Sequence, residues 1–174
     1  MTNLISKSIQ NASDILIQHI KLLTVDIEAY NHPWPERSKW VGYSAFCYML
    51  PSFFIEGNSQ LSYFFRAIWI IQAGFVFSSD YGWATDVNVL HGIDRWLATL
   101  LVIYMFVITT KYYNIWYALI SAFIPVYGVY LSKVAAKKKD FDMYVLNQTM
   151  WHITGPIIAS YVLYQIQLEH NLYD

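Results

Sequence analysis

The chain has 174 residues and a formal net charge of −1, and 56% of its side chains are hydrophobic, 18% aromatic and only 13% charged, against roughly 25% charged in an average globular domain. A near-neutral balance excludes a strongly basic nucleic-acid binder, and a single cysteine, Cys47, excludes an internal disulfide or a cysteine zinc cluster. Such a composition predicts an all-α, polytopic membrane helix bundle, one domain whose seven Trp and fifteen Tyr suit the boundary between lipid headgroups and hydrocarbon.

Residues 1–37 form the first unit. Ile5, Ile9, Ala12, Leu16, Ile20, Leu23 and Ile27 recur every three or four positions among polar residues, the pattern of an amphipathic helix lying along a membrane surface or against other helices. The run Asn31-His32-Pro33-Trp34-Pro35-Glu36 then acts as a hinge, because two prolines block helix continuation.

Residues 38–168 form the bundle. A hydrocarbon layer about 30 Å thick takes about 20 helical residues to span. Stretches Tyr112–Ser132 and Met143–Leu168 carry no formal charge, and Trp96–Thr110 becomes long enough if its helix starts near Leu90. Trp40–Ile55, interrupted by Pro51, and Leu61–Ser79, which contains Arg66, complete about five transmembrane helices. A kink is expected at Gly155-Pro156, and residues 169–174 are a short polar tail. Lys7, Lys21, Arg37 and Lys39 before the first span, with Lys133 and Lys137 to Lys139 near the last connection, predict a cytoplasmic N-terminus and a C-terminus on the opposite side.

Chemistry must come from few residues. The stretch from Ser78 to Trp96 gathers Asp80, Asp86, His91, Asp94 and Arg95 in a chain otherwise poor in such groups. His91 and Asp94 are three apart and share a helix face, whereas Asp80 and Asp86 read as solvated loop residues. His152 lies about 13 Å into the last span, a depth at which a polar side chain needs a partner in the bundle interior; Gln148, four residues earlier, shares its face. His91, Asp94 and His152 together offer two imidazoles and a carboxylate to zinc, which would make a nucleophile of its bound water. The same two histidines are the axial pair that a haem between helices would require.

Three features resemble a known pattern: Ser79-x-x-x-Trp83, Asp94 eleven residues after Trp83, and Gln148-Thr149-Met150-Trp151-His152 in the last span. They are similar to the CREST group of membrane hydrolases, which includes alkaline ceramidases, progestin and adipoQ receptors and GPI-anchor lipid remodellers. In that group a Ser shortly before a His, an Asp entering the third helix and a His-x-x-x-His in the last helix build a site where three histidines hold zinc. Ser79, Asp94 and His152 match, as does Trp151, whereas Trp83 and Gln148 stand where two zinc histidines belong. The resemblance covers residues 75–165, and the group has seven crossings. It implies a lipid-binding protein or a zinc-dependent hydrolase of a lipid amide or ester with a degenerate site. There His152 and His91 would bind metal, Asp94 would orient or deprotonate the water, and Ser79 would polarise the substrate or hold the oxyanion, with Gln148 and Arg95 as structural polar residues. The expected partners are the lipid bilayer, a lipid substrate and other membrane proteins, with no nucleic acid. The alternative from another class is a non-catalytic structural subunit of a larger membrane assembly, such as a respiratory complex or a viral membrane.

Overall fold

The structure is a computed structural model that describes residues 34–85 and 90–170. The amphipathic helix expected over residues 2–29, the first half of the hinge after it and most of the polar tail lie outside the described residues. Among the described residues all regular structure is helical. Helix α1 (Lys39–Ala45) continues as a 3-10 helix (Phe46–Phe54), and α2 (Gln60–Phe77) runs into a π turn (Ser78–Gly82). Three further helices follow: α3 (Leu90–Tyr112), α4 (Ile115–Lys137) and α5 (Phe141–His170).

By length and composition three segments are long and apolar enough to cross a membrane: Gln60–Gly82, Leu90–Tyr112 and Ile115–Lys137. The chain is therefore compatible with a membrane protein. Helix α4 starts three residues later than the expected span because Asn114 caps it, its side chain accepting the Tyr117 N–H at 2.8 Å. It also runs on through Lys133 and Lys137, so these lysines belong to the helix. The turn into α5 is made by Lys139, whose φ of 57° is in the left-handed region. Helix α5 is longer, but its buried stripe includes Gln148, His152, Ser160 and Gln167, which dilutes its apolar character. It runs unbroken through Pro156, whose missing N–H leaves the His152 carbonyl without a helical donor from that position.

The five helical rods alternate in direction. At one end the Trp34 N–H donates to the Ala84 carbonyl at 2.9 Å, and the Trp34 ring lies 5.2 Å from Phe141 and 4.6 Å from Tyr144, joining the entry to α1, the exit from α2 and the start of α5. At the other end Phe54 meets Tyr164 at 6.0 Å and Tyr112 meets His170 at 4.9 Å. The first rod has only 16 residues from Lys39 to Phe54. The steeper rise of its 3-10 portion, about 2.0 Å per residue against about 1.5 Å in an α-helix, still extends it to roughly 28 Å.

The core forms on α5, where Ala159, Val162, Leu163 and Ile166 meet Tyr48 of the 3-10 helix, Trp69, Ala73 and Val76 of α2, and Leu101 and Ile108 of α3. Arg66 is the one formal charge in the α2 helix, and its guanidinium closes the far end of the first rod. It donates to the carbonyls of Ile55 at 2.7 Å and Gly57 at 2.8 Å. Hydrogen bonds to a charged group contribute about 1.5–3 kcal/mol each. Arg66→Leu is thus expected to lower the unfolding midpoint in detergent and to open the 55–59 connection to proteolysis. Arg66→Lys, which keeps the charge but not the fork, should fall between the two; equal resistance in all three proteins would show that the fork does not hold this end.

Candidate functional site

The polar side chains converge near the end of the bundle that carries Trp34, Arg95 and Lys133. The π turn Ser78–Gly82 places Ser79 and Asp80 side by side toward the interior, a type of helix irregularity common at functional sites. It is seated against α1 at Gly42, where a Cβ would come within 2.8 Å of the Tyr81 ring; only a residue without one leaves room for that ring. Ser79 is fully buried and the Asp80 side chain is 13% exposed.

One hydrogen-bonded chain links four elements. His152 Nε2 lies 3.2 Å from Asp80 Oδ2, and Gln148 Nε2 donates to the same carboxylate oxygen at 2.6 Å while standing 3.0 Å from His152 Nε2. On the other edge of the imidazole, Nδ1 is 3.1 Å from Ser44 Oγ. The Ser44 hydroxyl proton goes to the Val41 carbonyl at 2.9 Å, so Ser44 accepts from His152 and Nδ1 carries a hydrogen. Nε2 is then the edge that faces Asp80. The chain continues through Ser79, whose single hydroxyl proton faces Asp80 Oδ1 at 3.2 Å, Asp94 Oδ2 at 3.1 Å and the Val76 carbonyl at 3.3 Å. It ends at Gln72, fully buried, which donates to Asp94 Oδ1 at 2.6 Å. Two carboxylates thus share one hydroxyl, each held by a glutamine amide, and the imidazole backs the first.

Ser79, Asp80, Asp94 and Gln148 form the polar side of a cavity of about 370 Å³. Its opposite walls are apolar and come from α3, α4 and α5: Ala98, Val102, Ile103, Val126, Val129 and Trp151. Val102, Ile103 and Val126 are 40–55% exposed on the outside of the bundle, so the cavity opens sideways between α3 and α4. His152 and Ser44 do not line it. They orient Asp80 from behind.

Of the residues expected from sequence, Ser79, Asp94, His152 and Gln148 are brought into one network. His91 also lines the cavity, but its Nε2 is 3.3 Å from the Trp83 carbonyl. Arg95 also lines the cavity. Asp80, expected as a solvated loop residue, is instead at the centre, because the π turn carries it inward. Ser44 and Gln72 had no counterpart in the sequence reading. Gln72 does carry a signal, since it is the polar residue midway along an apolar helix, the same argument of depth that singled out His152.

The donor set does not fit a resident zinc. A zinc bond needs an unprotonated nitrogen or a carboxylate oxygen at about 2.0–2.2 Å, while both His152 nitrogens are engaged and position 148 supplies an amide. Among the described residues no group of three or more His, Cys, Asp or Glu side chains stands where it could hold a metal ion. Comparison with known proteins adds no assignment. No protein-family model, no curated protein and no solved structure matches this chain.

Proposed function

We propose that the chain is a five-span membrane protein, N-terminus in the cytoplasm, that binds a lipid in the cavity between α3, α4 and α5. Its polar floor includes Ser79 and Asp94 of the CREST-like set, with His152 behind Asp80 and the zinc positions replaced by Trp83 and Gln148. The observation that carries this reading is the cavity itself: hydrogen-bonding groups at one end, apolar walls, and an opening onto the exposed apolar face of α3 and α4, the construction expected of a ligand site that takes an amphiphile. Antiparallel alternation of the rods and the gathering of Arg37, Lys39, Lys133 and Lys137 toward one end support the five crossings and their orientation. In the absence of the zinc histidines, binding is favoured over hydrolysis.

Protein purified in a mild neutral detergent is expected to retain lipid detectable by extraction and mass spectrometry. Ala98→Trp, which fills the cavity from its α3 wall, should remove that lipid while leaving helicity intact. Elemental analysis of the same preparation is expected to find no stoichiometric zinc. Zinc at one per chain that disappears in His152→Ala would return the hydrolase reading.

A second reading rests on α4. Its membrane-length window is only 11% buried, and its outer face stacks Phe123, Tyr127 and Tyr130 with centroids 5.7 and 6.2 Å apart. That ladder suits a helix of another subunit as well as lipid, and elution of the native protein only within a larger assembly would favour it.

A further inference from the structure

Two tryptophans sit in the middle of the bundle with nothing to donate to. Trp69 is nine residues into α2 and Trp151 ten residues into α5, depths of about 14 and 15 Å, roughly half of a 30 Å hydrocarbon layer. An indole in a membrane protein ordinarily keeps its N–H at the headgroup boundary. Here Trp69 is only 4% exposed, and the Nε1 atoms of both rings are buried without a hydrogen-bond partner among the described residues, as is the Tyr48 hydroxyl. The three rings form one cluster, the Tyr48 centroid lying 6.5 Å from that of Trp69 and 5.7 Å from that of Trp151. Hydrocarbon offers no acceptor at this depth, so each of these donors loses its water without compensation.

Both indoles border a second cavity of about 70 Å³. It adjoins the first, since Val102 and Trp151 line both. The two hydroxyls that border it are spent on their own helices: Thr109 donates to the Met105 carbonyl at 2.6 Å and Ser121 to that of Ala118 at 3.1 Å. Leu101, Met105 and Phe106 make its walls apolar. An indole N–H donates and never accepts. The group that answers two such donors and asks for no acceptor in return is a carbonyl oxygen, with two lone pairs and no hydrogen. A hydroxyl or a water brings hydrogens that need acceptors of their own, and a carboxylate brings a charge that is costly where no cation is found among the described residues lining the cavity. About 70 Å³ is far below the roughly 300–1,000 Å³ of a whole ligand site, so this cavity takes a segment of the molecule held in the first.

We propose that the bound lipid carries a neutral carbonyl, a ketone or an ester, deep in its chain, where the indole N–H groups of Trp69 and Trp151 donate to it while its polar end stays at Ser79 and Asp94. Met105, on the wall of the second cavity, follows Asp94 by eleven residues of α3, so the carbonyl lies roughly 16 Å from the polar end. This rests on the lipid-binding reading above and names its ligand class. The test uses full-length protein in a neutral maltoside detergent with three probes: octadecanol, the same alcohol with a ketone at its twelfth carbon, and the same alcohol with a hydroxyl there. Binding is followed by native mass spectrometry, and the ketone's carbonyl stretch by infrared spectroscopy. The ketone is expected to bind about tenfold more tightly than octadecanol, the yield of two hydrogen bonds, and its carbonyl band should move to lower frequency than in detergent alone. Trp69→Phe and Trp151→Phe keep a ring and remove the N–H. Each should weaken ketone binding about threefold or more and reverse part of the band shift, while octadecanol binds as before and so reports that the cavity is intact. If the ketone binds no better than octadecanol and neither variant changes it, the lipid cavity stands but the carbonyl assignment fails. Equal or tighter binding of the hydroxyl probe overturns the choice of a carbonyl. If none of the three binds, the lipid-binding reading itself falls.

Discussion

Replacing His152 with Ala is expected to destabilise the protein by about 1–3 kcal/mol, the cost of leaving buried polar partners unsatisfied. His152 is fully buried and holds Asp80 and Ser44 at once. Its removal leaves the Asp80 carboxylate facing Gln148 and Ser79 without the imidazole, and leaves Ser44 without a donor. The measurement is the unfolding midpoint in detergent, read by circular dichroism, together with a double-mutant cycle against Asp80→Asn. Because the asparagine removes the charge that His152 serves, the double variant should lose much less than the two single losses added. Additive losses, or a single-variant loss below about 1 kcal/mol, the usual range for exposed ion pairs, would mean that the pair does not organise the site.

A second large effect is expected at the crossing of α4 and α5. A Cβ at Gly128 would lie 2.5 Å from the Trp151 Cβ and 3.5 Å from its Cα. These atoms are at or next to the backbone and cannot swing aside, so Gly128→Ala must push the helices apart. Overpacking of this kind costs about 1–3 kcal/mol, and the displaced Trp151 is shared by both cavities, so lipid retention should fall together with stability. Gly74→Ala is the matched control. It too is in a helix, but nothing lies within 4 Å of its added Cβ, and it should be neutral or stabilising by up to about 1 kcal/mol. Similar losses at both positions would point to a general intolerance of change in the bundle, not to a contact at Trp151.

Much of the helix placement was legible in the residues. Long uncharged stretches located α3, α4 and α5 to within a few residues, because hydropathy and the length needed to cross a membrane are local properties. The errors arose where a side chain outside the pattern intervened: Asn114 delays the start of α4, and Lys133 and Lys137 extend it because a lysine is a good helix former wherever its ammonium reaches polar surroundings. The conversion of the first rod into a 3-10 helix was not readable, since Pro51 announces an interruption without specifying which tighter geometry relieves it.

In the site, Ser79, Asp94, Gln148 and His152 could be singled out by spacing and by the cost of polar groups at depth. Asp80 could not, because an acid just beyond an apolar helix ordinarily faces solvent, and only the extra residue per turn of the π segment brings it round to His152. Ser44 was equally hidden; serine is common in helices, and its partner is 108 positions away.

What the sequence by itself determined is therefore the helical, apolar character of the chain and the short inventory of polar groups that must find partners inside it. The tertiary structure alone decided which of them meet. Gln148 reaches Asp80 across 68 residues and Gln72 reaches Asp94 across 22, pairings set by how α1, α2, α3 and α5 pack. Glycines at 42 and 128 permit that packing by letting Tyr81 and Trp151 come close. Periodicity reports which face of a helix is buried, but the identity of the neighbour buried against it is a property of the whole bundle.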